Sequence, residues 1–164
     1  MSASSRNVSV RPATPADSAL ILSFIRDLAA YEKLLESVEA TESHVSAALF
    51  GENPRAFADI AELDGEPVGF ALWFYNFSTF VGRHGIYLED LFVRTEARGS
   101  GAGKALLASL ARRCVDEDLG RLEWSVLDWN APSIAFYDGL GAASLDEWII
   151  RRMTGEALRK LAGV

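Results

Sequence analysis

The feature that most constrains this chain is a run of small residues set between a strand-like segment and an amphipathic helix. Leu88-Glu89-Asp90-Leu91-Phe92-Val93 reads as a strand, and Arg98-Gly99-Ser100-Gly101-Ala102-Gly103-Lys104 as a glycine-rich turn with basic edges. From Gly101 to Asp116 the apolar residues Leu106, Leu107, Leu110, Ala111, Cys114 and Val115 recur at helical spacing. Glycines let main-chain N–H groups approach an anion closely, and a helix start adds the positive end of a dipole. The loop therefore suits an oxygen-rich diphosphate, with Arg98 and Lys104 adding charge. Two familiar phosphate loops do not fit. Read back from Lys104, a nucleotide-triphosphate loop would need glycine at 98 and Ser or Thr at 105, where the chain has Arg98 and Ala105. The dinucleotide fingerprint fails because Gly99, Gly101 and Gly103 are evenly spaced and follow several strands rather than the first.

The remaining pattern places this unit in a mixed sheet. Val8–Pro12 predicts a first strand, and Thr14-Pro15 opens a helix whose stripe is Leu20, Ile21, Phe24, Ile25 and Leu28. A second helix runs from Thr41 to Phe50. Strands follow over 56–63, 67–77 and 86–93, the first two joined by the hairpin signal Asp64-Gly65. After the glycine loop and its helix come a strand over 121–127, a helix beginning at Asn130-Ala131-Pro132-Ser133, a strand over 148–153 and a last helix over 154–161. The order β-α-α-β-β-β-α-β-α-β-α predicts an α+β, or mixed α/β, domain around one central twisted sheet flanked by helices. Residues 1–6 read as a loose leader and 7–164 as one domain.

Arg98-x-x-Gly101-x-Gly103 resembles the acetyl-CoA diphosphate signature of the Gcn5-related N-acetyltransferase (GNAT) superfamily, and the resemblance covers nearly the whole chain. Four segments are similar to the diamine (spermidine/spermine) acetyltransferase group and its thialysine N-epsilon-acetyltransferase relative: Arg11–Thr14 with Asp17, Leu28–Leu34, Tyr87–Val93 and Val126–Asn130. The ending Gly155–Ala162 is similar to the thialysine branch. So is the pair Ser78-Thr79, where the polyamine enzymes carry an acid and a tryptophan. Leu145–Trp148 is shorter than its family counterpart, a second departure on the acceptor side.

The resemblance implies a GNAT-like acyl-CoA N-acyltransferase fold and direct acetyl transfer from acetyl-CoA to a primary amine in a ternary complex. It puts a water-relayed base at Glu89 and a proton-donating acid at Tyr137. Asp90, in the opposite strand phase, adds negative potential. Coenzyme contacts are expected from Leu91, Phe92 and Val93, on a strand that the resemblance splays from its neighbour. They are also expected from Arg98, Gly99, Ser100, Gly101, Ala102, Gly103 and Lys104, and from Asn130, Ser133 and Tyr137. Tyr31, Glu32, Glu89 and Asp90 are the acceptor-side candidates. The family is commonly dimeric, which makes a homodimer the expected assembly.

The chemistry asks for these residue types. An ammonium of pKa ~10 must lose a proton to become nucleophilic, and a departing thiolate of pKa ~8.5 gains from a donor. Asn130 and Ser133 also suit simple helix capping. Trp129 and Trp148 suit either core packing or the wall of an aliphatic slot.

Composition trims the alternatives. A net charge of −7 disfavours nucleic-acid binding and suits a small cationic acceptor. A single cysteine, Cys114, rules out an internal disulfide, and the two histidines have no ligating neighbours in sequence, so no metal is expected. No apolar run reaches membrane-spanning length and the start lacks the core of a signal peptide, so the expected compartment is the cytoplasm with no membrane partner. Two other readings stay open at this stage: the same catalyst with an antibiotic or protein amine as acceptor, and a non-catalytic acyl-CoA sensor.

Overall fold

The computed structural model describes residues 6–164; the expected leader lies almost wholly outside them. The chain packs into two compact units, one extending to Ser125 and the other spanning Val126–Val164.

The first unit is a five-stranded sheet in sequence order, with strands β1 (Val8–Pro12), β2 (Phe57–Leu63), β3 (Glu66–Ser78), β4 (Arg83–Val93) and β5 (Leu122–Trp124). β1 to β4 are antiparallel neighbours, and β5 joins β4 in parallel. Helices α1 (Ser18–Tyr31) and α2 (Glu42–Phe50) belong to one face, and α3 (Ala102–Asp116) packs on the sheet as well. The α1 face is held by Ile21, Phe24, Val45, Leu49, Ile60, Phe70 and Phe92. Phe24 stacks on Phe70 with ring centroids 5.5 Å apart. On the α3 face, Arg113 lies over the buried Trp73 ring, whose indole N–H donates to the buried Asp59 carboxylate at 2.9 Å.

Local chemistry explains the element ends. Asp64 and Gly65 both take positive φ, the conformation that a two-residue turn between twisted strands requires. Pro15–Asp17 forms a short 3-10 turn before α1. The Arg11 guanidinium donates to both Asp17 carboxylate oxygens at 2.8 and 3.0 Å, and its Nε donates to Glu62 at 2.6 Å. That fork ties β1, β2 and the start of α1 together. Thr41 caps α2, its hydroxyl accepting from the His44 N–H.

The second unit holds α4 (Ala131–Gly139) and α5 (Gly155–Ala162). Here one expectation is corrected: no strand forms over 148–153. A strand needs a neighbouring edge for its N–H and C=O groups, and among the described residues none pairs with this segment. Trp148, Ile149 and Ile150 are 75, 80 and 70% exposed, and Trp129 is half exposed, so neither tryptophan packs in a core. The strand expected over 121–127 is also shorter, ending at Trp124.

Candidate active site

The site is built on an interruption in β4. Leu72 faces Asp90 and Trp73 faces Leu88, so Glu89 is the extra residue of a β-bulge. Leu88 and Leu91 therefore pair with Trp73 and Ala71, two positions of the same β3 phase, although they stand three apart. The bulge leaves Glu89 exposed and places Asp90 half-buried on the other side, in phase with Phe92.

Beside the bulge the sheet opens. β5 pairs with β4 only over Ile86, Leu88 and the residue between them. The Arg94 N–H donates to the Val68 carbonyl at 2.9 Å, so main-chain alternation turns the N–H groups of Leu91 and Val93 away from β3, toward the edge that β5 no longer covers. Pairing between β4 and β5 thus ends at Leu88, before the segment that the resemblance expects to splay.

This open edge runs into the glycine turn. Gly99 and Gly101 take φ of +78° and +93°, and Gly101 is the residue preceding α3. Among the described residues no acceptor meets the N–H groups of Gly101, Gly103 or Lys104. The Ser100 hydroxyl accepts from the Ala102 N–H at 3.3 Å. A helix start with unused donors and open space where a glycine Cβ would stand fits a diphosphate. The donor set therefore suits acetyl-CoA.

The Arg98 side chain is not aimed along this turn. Its Nε donates to the Val93 carbonyl at 3.3 Å, and its guanidinium stacks 4.6 Å from the Tyr31 ring and 6.0 Å from Phe92. Tyr31, Phe92, Arg94, Thr95, Glu96 and Arg98 line an open cleft of about 470 Å³ between the end of α1 and the turn. Arg94, which the sequence reading passed over, is held there by Ser23 at 3.4 Å and Asp27 at 3.7 Å. Its signal was a cation at the last step of a strand leading into a glycine turn.

Three carboxylates, Glu32, Glu89 and Asp90, act on one another electrostatically. Glu32 follows α1, and burial raises its pKa. Asp90 is pushed up to about 6, first by burial and then by the negative charges of Glu89 and Glu32. In the second unit, Asn130 is buried and its side-chain oxygen accepts from the Ser133 N–H, so it does cap α4. Tyr137 is half-buried on α4, with its ring 5.5 Å from that of Phe136. Cys114 is half-buried on α3 with its thiol pKa raised by burial, unlike an activated thiol. No group of three or more metal-ligating side chains occurs among the described residues, and no helix there is long and apolar enough to cross a membrane.

Residues 23–142 match the Acetyltransferase (GNAT) family. The chain belongs to the GNAT family of acetyltransferases. It is an N-acetyltransferase, and its mixed sheet with flanking helices is that family's fold. The thialysine N-epsilon-acetyltransferase of Bos taurus is 40% identical over 95% of this chain and 98% of its own length. The L-ornithine N5-acetyltransferase of Arabidopsis thaliana is 30% identical over 93% of this chain and 86% of its own. Among solved structures, an integron cassette protein from V. cholerae superposes with a TM-score of 0.78 at 27% identity, covering 96% of this chain and 98% of that one. GNAT acetyltransferases use acetyl-CoA.

Proposed function

We propose that this GNAT enzyme moves the acetyl group of acetyl-CoA onto the terminal amine of a small cationic acceptor, a thialysine- or lysine-like amino acid or a diamine, by direct transfer in a ternary complex. The observation that carries the coenzyme half is one row of unused main-chain donors. It runs from Leu91 and Val93 on the open edge of β4 to Gly101, Gly103 and Lys104 at the start of α3. Bound there, acetyl-CoA supplies an activated acyl group on sulfur.

The chain's own residues do the rest. Leu91, Val93 and the turn from Arg98 to Lys104, with Phe92 beneath them, hold and aim the coenzyme. Preorganised N–H groups at the edge stabilise the charge that grows on the thioester oxygen. Glu89 and Asp90 attract the ammonium, the family resemblance giving its proton to Glu89, and Tyr31 and Glu32 orient the rest of the acceptor. On α4, Tyr137 is the donor assigned to the departing thiolate, and Asn130 and Ser133 are assigned to the coenzyme arm.

The acceptor class rests on relatives named for thialysine and ornithine, together with three carboxylates on the acceptor side. A homodimer is the assembly proposed, and a reducing, cytoplasmic compartment suits a chain with a single cysteine. The test is a comparison of kcat/KM over thialysine, lysine, ornithine, putrescine and spermidine. The proposal expects the amino acids to lead. Rates at background for all five, with an aminoglycoside or a peptide amine acetylated instead, overturn it. Tight coenzyme binding with no acceptor acetylated by any amine points to a sensor.

A further inference from the structure

The cleft between the end of α1 and the glycine turn carries charge of both signs. Arg94 and Arg98 line it with Asp27 and Glu96, and Tyr31 and Phe92 supply aromatic wall. Its volume of about 470 Å³ suits a small molecule. Arg98 is engaged by the Val93 carbonyl and the Tyr31 ring. Arg94 is held loosely. Its Nη2 donates to the Ser23 hydroxyl at 3.4 Å, its Nε lies 3.7 Å from the Asp27 carboxylate, and its guanidinium sits 4.8 Å from the centre of the Phe24 ring. Among the described residues no acceptor meets its Nη1. The side chain is 34% exposed, so the planar fork is backed by an aromatic ring and still open to an incoming anion.

The strand sets this cation at a fixed distance from the acceptor carboxylates. Asp90 faces Leu72 and Phe92 faces Phe70, and the Arg94 N–H continues the ladder to the Val68 carbonyl. Asp90, Phe92 and Arg94 are therefore in one phase, on the face that Phe92 shares with Phe24 of α1. At about 3.3 Å per residue, the Cα atoms of Asp90 and Arg94 stand about 13 Å apart. An extended lysine-like chain measures about 7–8 Å from its terminal nitrogen to its carboxylate. A charged hydrogen bond of about 2.8 Å at each end brings the span to the same 13 Å.

Resting on the acetyl-transfer reading above, we infer that this cleft takes the α-amino-acid head of the acceptor, with the Arg94 guanidinium on its α-carboxylate, and that Arg94 thereby sets a preference for amino acids over diamines. The terminal ammonium then lies at the Glu89 and Asp90 end, and the aliphatic chain crosses Phe92 and Tyr31. Asp27, freed from its long contact with Arg94, faces the α-ammonium. A head bearing one charge of each sign matches a cleft with two cations and two anions. The far end of a diamine brings only a second cation, which leaves the Arg94 fork unmatched and repels it.

The test compares thialysine with bis(2-aminoethyl) sulfide, the same molecule without its carboxylate, on the full chain. The wild type is expected to favour thialysine in kcat/KM. Arg94→Gln should reduce that preference about 10-fold or more, chiefly through the KM for thialysine, and Arg94→Lys should restore part of it. On the wild type, thialysine methyl ester, whose carboxylate is neutralised, should show the same loss as the sulfide diamine. An ester as good as the acid, or an equal fall for both acceptors in Arg94→Gln, overturns the inference and leaves acetyl transfer intact. So does a loss carried by calorimetric acetyl-CoA affinity, which would give the cleft to the coenzyme. If neither amine is acetylated, the functional reading fails instead. The cleft is then judged by calorimetric binding of the two amines: thialysine weakened more than the diamine in Arg94→Gln supports the inference, and equal change overturns it.

Discussion

The Arg98 guanidinium stacks 4.6 Å from the ring of Tyr31, linking the turn that precedes α3 to the last residue of α1. A cation placed over an aromatic face contributes about 0.5–1 kcal/mol at an exposed site. The contact joins a residue assigned to the coenzyme with one assigned to the acceptor. Arg98→Ala is therefore expected to weaken both acetyl-CoA binding and acceptor KM. In a double-mutant cycle with Tyr31→Ala, read by calorimetric coenzyme affinity, the two changes should fall short of additivity by about 2- to 5-fold. Strict additivity would show that the stack carries nothing.

Tyr137→Phe removes a hydroxyl and little else. As the donor to the leaving thiolate, it should cost about 10²-fold in kcat while coenzyme affinity stays within about twofold. Steady-state kinetics paired with equilibrium binding separate the two. Full activity in the variant would take the acid role away from this residue.

Gly69 faces Val93 across β3 and β4, and a Cβ built on it would stand 2.5 Å from the Phe92 carbonyl oxygen. Gly69→Ala must push the strands apart next to the edge that leads into the glycine turn. Urea unfolding should show a loss of about 1–3 kcal/mol, as overpacking does elsewhere. Wild-type stability would mean that the strands separate freely here.

The Arg11 fork holds the Asp17 carboxyl at about 2, below the ordinary 3.8, chiefly through its hydrogen bonds. A carboxyl lowered on folding stabilises the native state fully above its unfolded pKa, and that stability drains away as pH falls through the folded value. The window here is about pH 4 to 2. Arg11 is 36% exposed, so solvent screening reduces the gain to the order of 1 kcal/mol. Asp17→Asn should lose that amount at pH 7 and flatten the stability curve across this window. Parallel urea titrations of the two proteins would fail to show this if the curves stayed a constant distance apart.

Much of this architecture is legible in the letters. Asp64-Gly65 announces its hairpin, Pro15 the start of α1, and the evenly spaced glycines the donor-rich start of α3, because each is a local backbone demand. The bulge was written there too. Leu88 and Leu91 stand three apart where a regular strand repeats every second residue, yet that departure alone does not say which residue is extruded. Only the pairing shows that Glu89 is the extruded, exposed residue and that Asp90 is half-buried. The segment from Trp148 to Met153 failed for the opposite reason. Its strand propensity is real, but propensity supplies no neighbour, and pairing is a tertiary matter.

The donors at Leu91 and Val93 belong to the peptide backbone, so ordinary side-chain replacement leaves them in place. Only an imino acid deletes such a donor. The grip on the coenzyme proposed for these donors is thus buffered against drift in sequence, while the carboxylates proposed for the acceptor, Glu32, Glu89 and Asp90, can be exchanged one at a time. A fold arranged in this way lets a lineage change its amine without relearning how to hold its acyl donor.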